Sequence, residues 1–373
     1  MADDEPVSPP EVLETKKSSP VQAFVRAALT LLLIYLIFGV LIPSFASYSD
    51  IWDAIKQVSA GAFVLLLALT VLVEAMKSMA PVVLIDKLGL GRSFLAQETS
   101  AMISNTVPGP SGTAMRYVTY RRYGLTTEEF GRSTIVNSLW NNAIILLMPT
   151  LAVALLATQD KVPTNVWWLT LIGLGITLVG VVLVGLILHS ENFARRFGEL
   201  LGRAINWARG VVKRPKPQDY ATVIVNFRFD IRDSVRRHWL GLSGVIVAKE
   251  FTTFLILLVS LRAVGAGRVS LTAIEIFAVY AVVKVLTMIE ITPGGVGVTE
   301  ALYISALSWA ANGQDNSAIT GGVFVFRMFT YLGPVLLGLI LWPVLNRMLR
   351  PTGQQDATAP AVPAARDTTE PRT

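Results

Sequence analysis

Long stretches of this chain carry few charged residues or none, and no other feature limits its fold so severely. Ala27 to Ile42 is sixteen uncharged residues. If Arg26 snorkels to the interface, the stretch extends back to Val21, giving about 20 residues, enough to cross a bilayer. Further candidates are Val58 to Met79, Ser133 to Thr158, Val162 to Leu188, Trp239 to Leu261, Val269 to Ile291 and Ile319 to Leu345. Between them lie two shorter, glycine-broken stretches, Phe94 to Tyr117 and Pro293 to Ala311. In hydrocarbon a backbone must satisfy its own N–H and C=O groups, which leaves helices or closed barrels. Continuous apolar runs of this length are helical, so the sequence predicts an all-α polytopic membrane protein.

Composition agrees with that reading. The 373 residues are 53% apolar and 16% charged, against roughly a quarter charged in soluble domains, and this excludes an ordinary soluble enzyme. The absence of cysteine removes thiolate metal sites, disulfides and cysteine nucleophiles. The two histidines, His189 and His238, flank one polar loop and share no motif with a carboxylate. No zinc site, no Ser/His/Asp site and no cofactor is therefore expected.

Orientation follows from lysine and arginine placement. Glu191 to Arg237 holds eleven of them, whereas the loops around Ser49 and Asp160 hold one each, so the segment 190–238 is read as a cytoplasmic loop. Lys16 and Lys17 place the N-terminus inside, and Arg347 and Arg350 place the C-terminus inside. The number of crossings is then even, and about eight transmembrane helices are predicted within a membrane domain of 21–349. Residues 1–20 and 350–373, rich in Pro, Ala, Thr, Asp and Glu, read as disordered cytoplasmic tails. Inside the basic loop, Phe193, Phe197, Leu200, Leu201, Ile205 and Ala208 share a helical face. That face suits a helix lying on an anionic leaflet, and a solvated connector explains it equally well.

A repeat is the most informative motif. VPGPSGTAMRY begins at Val107 and TPGGVGVTE at Thr292, so Pro-Gly-x-x-Gly occurs at Pro108, Gly109 and Gly112 and again at Pro293, Gly294, Gly295 and Gly297, 185 residues apart. Proline removes a donor and glycine tolerates φ > 0, so such strings break a helix. The freed backbone groups must be buried in protein or line a wet cavity. Paired breaks in two related halves, inverted or parallel, point to a transport site with broken or re-entrant helices. A pair of ordinary interfacial turns is the plainer explanation.

Charges within the apolar stretches form the second constellation. Glu74, Glu98, Glu250, Glu290 and Glu300 are matched by Lys77, Arg116, Lys249, Lys284 and Arg327. Ten charges facing lipid would cost on the order of 30 kcal/mol, so most must face a cavity, pair, or reach the interface. Glu74 and Lys77, at i and i+3, suit a plain structural pair. Arg116, Glu300 and Arg327 stand out because the first two follow the broken motifs and the third opens a long span. The predicted translocation path comprises Arg116, Glu300, Arg327, Glu290, Glu250 and Lys284. Asn137 and Asn141, on one helix face, suit interhelical hydrogen bonds.

TPGGVGVTE, the apolar segment behind it and Arg327 in VFRMFTYLGPVLLG resemble the flippase-like membrane domain of bacterial lysylphosphatidylglycerol synthases and its stand-alone relatives. The similarity extends to Pro108, Gly109, Gly112 and Arg116 and covers about Val21 to Leu349. Full-length members add a soluble aminoacyltransferase domain, whereas this chain ends in a tail of about twenty residues. The resemblance thus implies the translocating half alone, moving a phosphate-bearing lipid between leaflets of a bacterial cytoplasmic membrane. No enzyme activity is expected. The expected partners are membrane lipids (an anionic or aminoacylated phospholipid, or a glycolipid), with a lipid synthase or a second copy of the chain as further candidates and no nucleic acid. A scaffold for a separate lipid synthase and a lipid-modifying membrane enzyme are the rival readings. No P-loop is present, so any drive comes from an ion gradient, the membrane potential or the lipid gradient.

Overall fold

A computed structural model of the chain describes residues 56–106, 110–158, 220–264, 269–288, 292–314 and 316–349, with isolated positions at 49, 52, 53, 175, 196 and 199. The expected spans at 21–42 and 162–188, the apolar face at 193–208 and both tails lie outside the described residues. Every regular element among the described residues is helical.

Among the described residues, four segments are long and apolar enough to cross a membrane: Ala60–Leu84, Thr127–Ala157, Arg237–Ala263 and Asn316–Met348. Helix α1, Ala60–Leu84, opens where Ser59 Oγ accepts from the Ala62 N–H at 3.2 Å. Its 25 residues make about 37 Å, more than the ~30 Å hydrocarbon layer. Two shorter helices follow, α2 (Leu90–Thr106) and α3 (Ser111–Arg122). Helix α4, Thr127–Leu156, begins with a capping box in which Thr126 Oγ1 accepts from the Glu129 N–H and Glu129 Oε2 accepts from the Thr126 N–H.

Helix α5, Tyr220–Ala263, begins inside the segment read as a basic loop. Its 44 residues extend about 66 Å, twice the hydrocarbon thickness. The expected loop thus gives way to helix at Tyr220, and its basic residues from Arg228 to Arg237 sit on a rod that runs on into the span. Helix α6, Ala273–Leu286, starts with a second capping box, Thr272 with Glu275. At fourteen residues it is helical over about 21 Å only, short of the full crossing expected for Val269 to Ile291. A 3-10 turn at Pro293–Gly295 leads to α7, Val298–Ala310, which closes with Gly313 N–H donating to Ser308 O and Asn312 N–H to Trp309 O. The last long apolar run is α8 (Asn316–Arg327), a π-helical turn at Met328–Leu332, and α9 (Gly333–Leu349).

The outer faces of these helices are apolar. Val64, Leu65 and Leu67 on α1, Leu147 and Leu151 on α4, and Leu336, Leu339 and Ile340 on α9 are all exposed. Unpartnered apolar surface this extensive is stable only against lipid or another apolar partner.

The described residues fall into two compact units whose borders lie within helices. One holds 56–63 and the described residues of 257–326; the other holds the described residues of 64–256 and 327–349. The duplicated motif would place a boundary near mid-chain, yet α9 joins the unit of the first motif. Glycine is the reason. A Cβ on Gly338 would lie 2.6 Å from the Glu98 carbonyl O, and one on Gly333 would lie 2.8 Å from Thr70 Cγ2. The bare backbone of α9 can therefore lie directly on α2 and α1, the close approach that small residues provide in membrane helices. In the other unit Tyr280 stacks on Tyr303 at 6.4 Å and Tyr303 meets the edge of Phe326 at 5.4 Å.

Candidate functional site

Each Pro-Gly-x-x-Gly string sits between two short helices that pack on each other: α2 with α3, and α6 with α7. At 17, 12, 14 and 13 residues, none spans about 30 Å alone. Pro108 and Gly109 lie outside the described residues. Gly112, in the first turn of α3, is buried against α2, where Ser100 Oγ donates to the Gly112 carbonyl at 2.8 Å. In the second string Gly294, Gly295 and Gly297 all have positive φ (59°, 67° and 84°). The turn begins at Pro293, and Glu300 Oε2 accepts from the Gly297 N–H at 2.6 Å.

Behind the first string the charged residues converge. A cavity of about 250 Å³ is lined by Lys77 of α1, Gln97 of α2, Arg116 of α3, Thr134, Asn137, Ser138 and Asn141 of α4, and Lys249 of α5. Arg116 Nη1 donates to Gln97 Oε1 at 2.9 Å and the guanidinium lies 5.9 Å from the Phe130 ring centre, while its Nε has no partner among the described residues. Lys249 Nζ donates to Asn141 Oδ1 and pairs with Glu250 at 2.7 Å. Lys77 Nζ donates to Glu74 Oε1 at 2.8 Å. Glu74, Glu98 and Glu250 are each at most 2% exposed, and all three act on the Lys77 ammonium.

The local sequence accounts for this gathering. On α4, Thr134, Asn137, Ser138 and Asn141 follow helical spacing, so a polar stripe runs along one face of the helix. On α2, the hydroxyls of Thr99 and Thr106 bond back to the carbonyls of Leu95 and Met102. Chains of such bonds let a polar helix sit in a dry setting.

Of the expected path residues, Arg116 lines the cavity and Glu250 borders it through Lys249. Arg327 ends α8 immediately before the π-helical turn, 5.3 Å from the Tyr331 ring centre. Lys284 lies in the last turn of α6, 5.8 Å from the Tyr280 ring centre. Glu300 is buried at the start of α7 as a backbone cap. Glu290 lies outside the described residues. The sequence reading missed the cavity roles of Gln97, Lys77 and Lys249; it took Asn137 and Asn141 as interhelical contacts, and Asn141 does accept from Lys249 of α5 while both asparagines also line the cavity. The polar stripe on α4 was the signal available.

The arrangement presents three cations and three neutral amides to a small space inside an apolar helical unit. It has the chemistry to hold an anion carrying several acceptor oxygens. Among curated proteins, none matches this chain. Its residues 24–338 match the lysylphosphatidylglycerol synthase transmembrane region, and the chain belongs to that family.

Proposed function

We propose that the protein moves a phosphate-bearing lipid between the leaflets of a bacterial cytoplasmic membrane, with both termini in the cytoplasm, and performs no chemistry on the lipid. The observation that carries this reading is the cavity lined by Lys77, Arg116 and Lys249. Placing a charge at mid-bilayer costs about 2.5 to 3.5 kcal/mol, which a binding role repays and a scaffold does not require. At about 250 Å³ the space is smaller than the roughly 300–1,000 Å³ pockets that enclose whole drug-sized ligands. A headgroup fits there with its acyl chains left in lipid. Arg116, already hydrogen-bonded to Gln97, is the phosphate contact of choice, because its fork accommodates two oxygens at once. Membership of a lipid-synthase membrane-region family supports a lipid as the cargo.

Reconstitution with a fluorescent phospholipid, followed by quenching of the outer leaflet, tests the reading. Vesicles holding the wild-type protein should lose nearly all of the signal, and those holding Arg116→Ala should stop near half, like protein-free vesicles. Arg116→Lys should fall between them. Wild-type vesicles that behave as protein-free ones for anionic and zwitterionic phospholipids alike would remove translocation as the function.

A further inference from the structure

The polar groups on the cavity wall are of two kinds. Lys77, Arg116 and Lys249 only donate hydrogen bonds, whereas Thr134, Asn137 and Ser138 of α4 also accept them. Hydroxyls on these helices commonly turn back to a carbonyl one turn earlier, as those of Thr70, Thr119 and Thr252 do. Thr134 and Ser138 do not. Among the described residues neither they nor Asn137 has a side-chain hydrogen-bond partner. Two hydroxyls and an amide therefore face the cavity with donors and acceptors both unused.

A bare phosphate diester answers only half of this wall. Its oxygens take hydrogen bonds from the three cations, but it has no hydrogen to give to Thr134, Ser138 or the Asn137 carbonyl. A site built around a hydroxyl rejects an analogue without one, because its own polar groups are then left unpaired. The occupant must bring donors of its own, as O–H or as an ammonium. Charge decides between these. Among the described residues that line the cavity there is no carboxylate, and the acids nearby are held by the same cations: Glu74 Oε1 accepts from Lys77 at 2.8 Å and Glu250 pairs with Lys249 at 2.7 Å. Glu98 is fully buried and is not on the wall. An entering ammonium thus meets like charges on the wall, and these repel it.

We propose that the cavity selects an anionic phospholipid whose headgroup carries free hydroxyls, a phosphate-linked polyol such as glycerol, and rejects aminoacylated and ethanolamine headgroups. The phosphate lies toward Arg116, Lys77 and Lys249, and the hydroxyls lie along the α4 stripe. Asn141 already accepts from Lys249, so Thr134, Asn137 and Ser138, on the turns before it, read the hydroxyls. Selectivity then has two separable parts: acceptors on α4 that demand O–H donors, and cations that exclude an ammonium. This inference rests on the cavity being a headgroup site.

Vesicles holding the full-length protein and acyl-labelled lipids test this through the rate of the slow quenching phase, less that of protein-free vesicles. Phosphatidylglycerol should cross about tenfold faster than phosphatidic acid, which has the phosphate without the hydroxyls; one net hydrogen bond supplies roughly that factor. It should outpace phosphatidylethanolamine and lysylphosphatidylglycerol by about tenfold or more. Asn137→Leu combined with Ser138→Ala should bring the ratio of phosphatidylglycerol to phosphatidic acid close to one. Asn137→Asp, which puts a carboxylate on the wall, should raise lysylphosphatidylglycerol relative to phosphatidylglycerol by about tenfold. Each ratio is taken within one preparation, so a smaller folded fraction cancels, and if a variant does not fold the wild-type ratios decide. Wild type that moves phosphatidic acid or lysylphosphatidylglycerol as fast as phosphatidylglycerol overturns the proposal and leaves translocation intact. Folded variants whose ratios equal those of wild type place the selectivity elsewhere and also overturn it. Labelled glycerol phosphate that enters the vesicles faster than phosphatidylglycerol crosses makes this a soluble-anion site, with the same result. Wild type that moves none of the four lipids removes the headgroup reading and this inference with it.

Discussion

At Gly112 the backbone is helical and the need for glycine is space: a Cβ there would collide with Ser104 Oγ and with the Ser100 carbonyl O of α2. At Gly297, the same place in the second string, φ is 84° and ψ is −47°, a conformation L side chains rarely adopt. The helices that follow differ as well. Helix α3 starts behind Pro110 with no side-chain cap and no acid in its first turn, whereas α7 carries Glu300 folded back onto the Gly297 N–H. One break leaves its helix start without an internal anion and is followed by Arg116 on a cavity. The other supplies its own carboxylate and satisfies its own donor. Equal letters at equal spacing thus serve a close approach in one unit and a chain reversal in the other, and the first lies beside the clustered cations of its own unit.

Substitution of the two glycines should separate these causes. Gly112→Ala carries the largest expected loss. Alanine is intrinsically better in a helix by about 1 kcal/mol, but collision with a main-chain oxygen outweighs that gain, and a net loss of about 3 kcal/mol is expected. Ser104→Ala in the same chain should recover part of it, since one of the two colliding atoms is then gone. Gly297→Ala should cost about 2 kcal/mol from backbone strain, and truncation of neighbouring side chains should not restore it. Gly294, at φ 59° and ψ 17°, lies near the left-handed region that asparagine tolerates. Gly294→Asn should therefore be nearly silent where Gly297→Asn is not. Equilibrium unfolding in mixed micelles measures all five variants. Recovery of Gly297→Ala by a truncated neighbour would show that space governs both breaks.

Glu300 tests the capping half of the comparison with a smaller effect. Glu300→Ala leaves the Gly297 N–H without its acceptor, and a buried donor so stranded costs about 1 to 2 kcal/mol. Glu300→Gln retains a carbonyl oxygen for that N–H and should lose less. If the carboxylate serves as a cap, both variants should translocate lipid in proportion to the folded protein recovered. A Glu300→Gln protein that folds fully yet fails to translocate would put the charge itself on the lipid's path.

How far the sequence disclosed this depends on which physical rule was at stake. The long helices were legible because hydrocarbon forces continuous apolar runs, and α1, α4 and the span of α5 start and stop close to the expected limits. The breaks were legible because Pro and Gly act locally. The membership of α9 was not, since it depends on Gly333 and Gly338 meeting partners more than two hundred positions away. The site was half visible. Arg116 was identified from its place behind a break, whereas Lys77 read as a simple i, i+3 partner of Glu74, which it is. That it also faces a cavity with Lys249 depends on how α1 and α5 pack, and no spacing within one helix encodes that.

The smallest expected effect concerns the two capping boxes, where the units should behave alike. Thr126 Oγ1 accepts from the Glu129 N–H at 3.1 Å and Thr272 Oγ1 from the Glu275 N–H at 3.2 Å. The return bonds, from the Thr126 N–H to Glu129 Oε2 and from the Thr272 N–H to Glu275 Oε2, are 2.8 and 2.7 Å. Both boxes are exposed, so water takes over part of any lost bond, and Thr→Ala at either should cost about 1 kcal/mol. A local difference is Lys87, whose Nζ lies 3.4 Å from Glu129 Oε1 with its side chain 77% exposed. Exposed pairs contribute between about 0 and 1 kcal/mol, too little to separate the two helices. Thr126→Ala and Thr272→Ala should therefore lower stability by amounts that agree within about 0.5 kcal/mol, while leaving the translocation rate per folded molecule unchanged. A loss at Thr126 several times that at Thr272 would mean that the start of α4 bears on the polar stripe of Thr134, Asn137 and Asn141 further along the same helix, and the difference between the units would then extend from the breaks to the helix that walls the cavity.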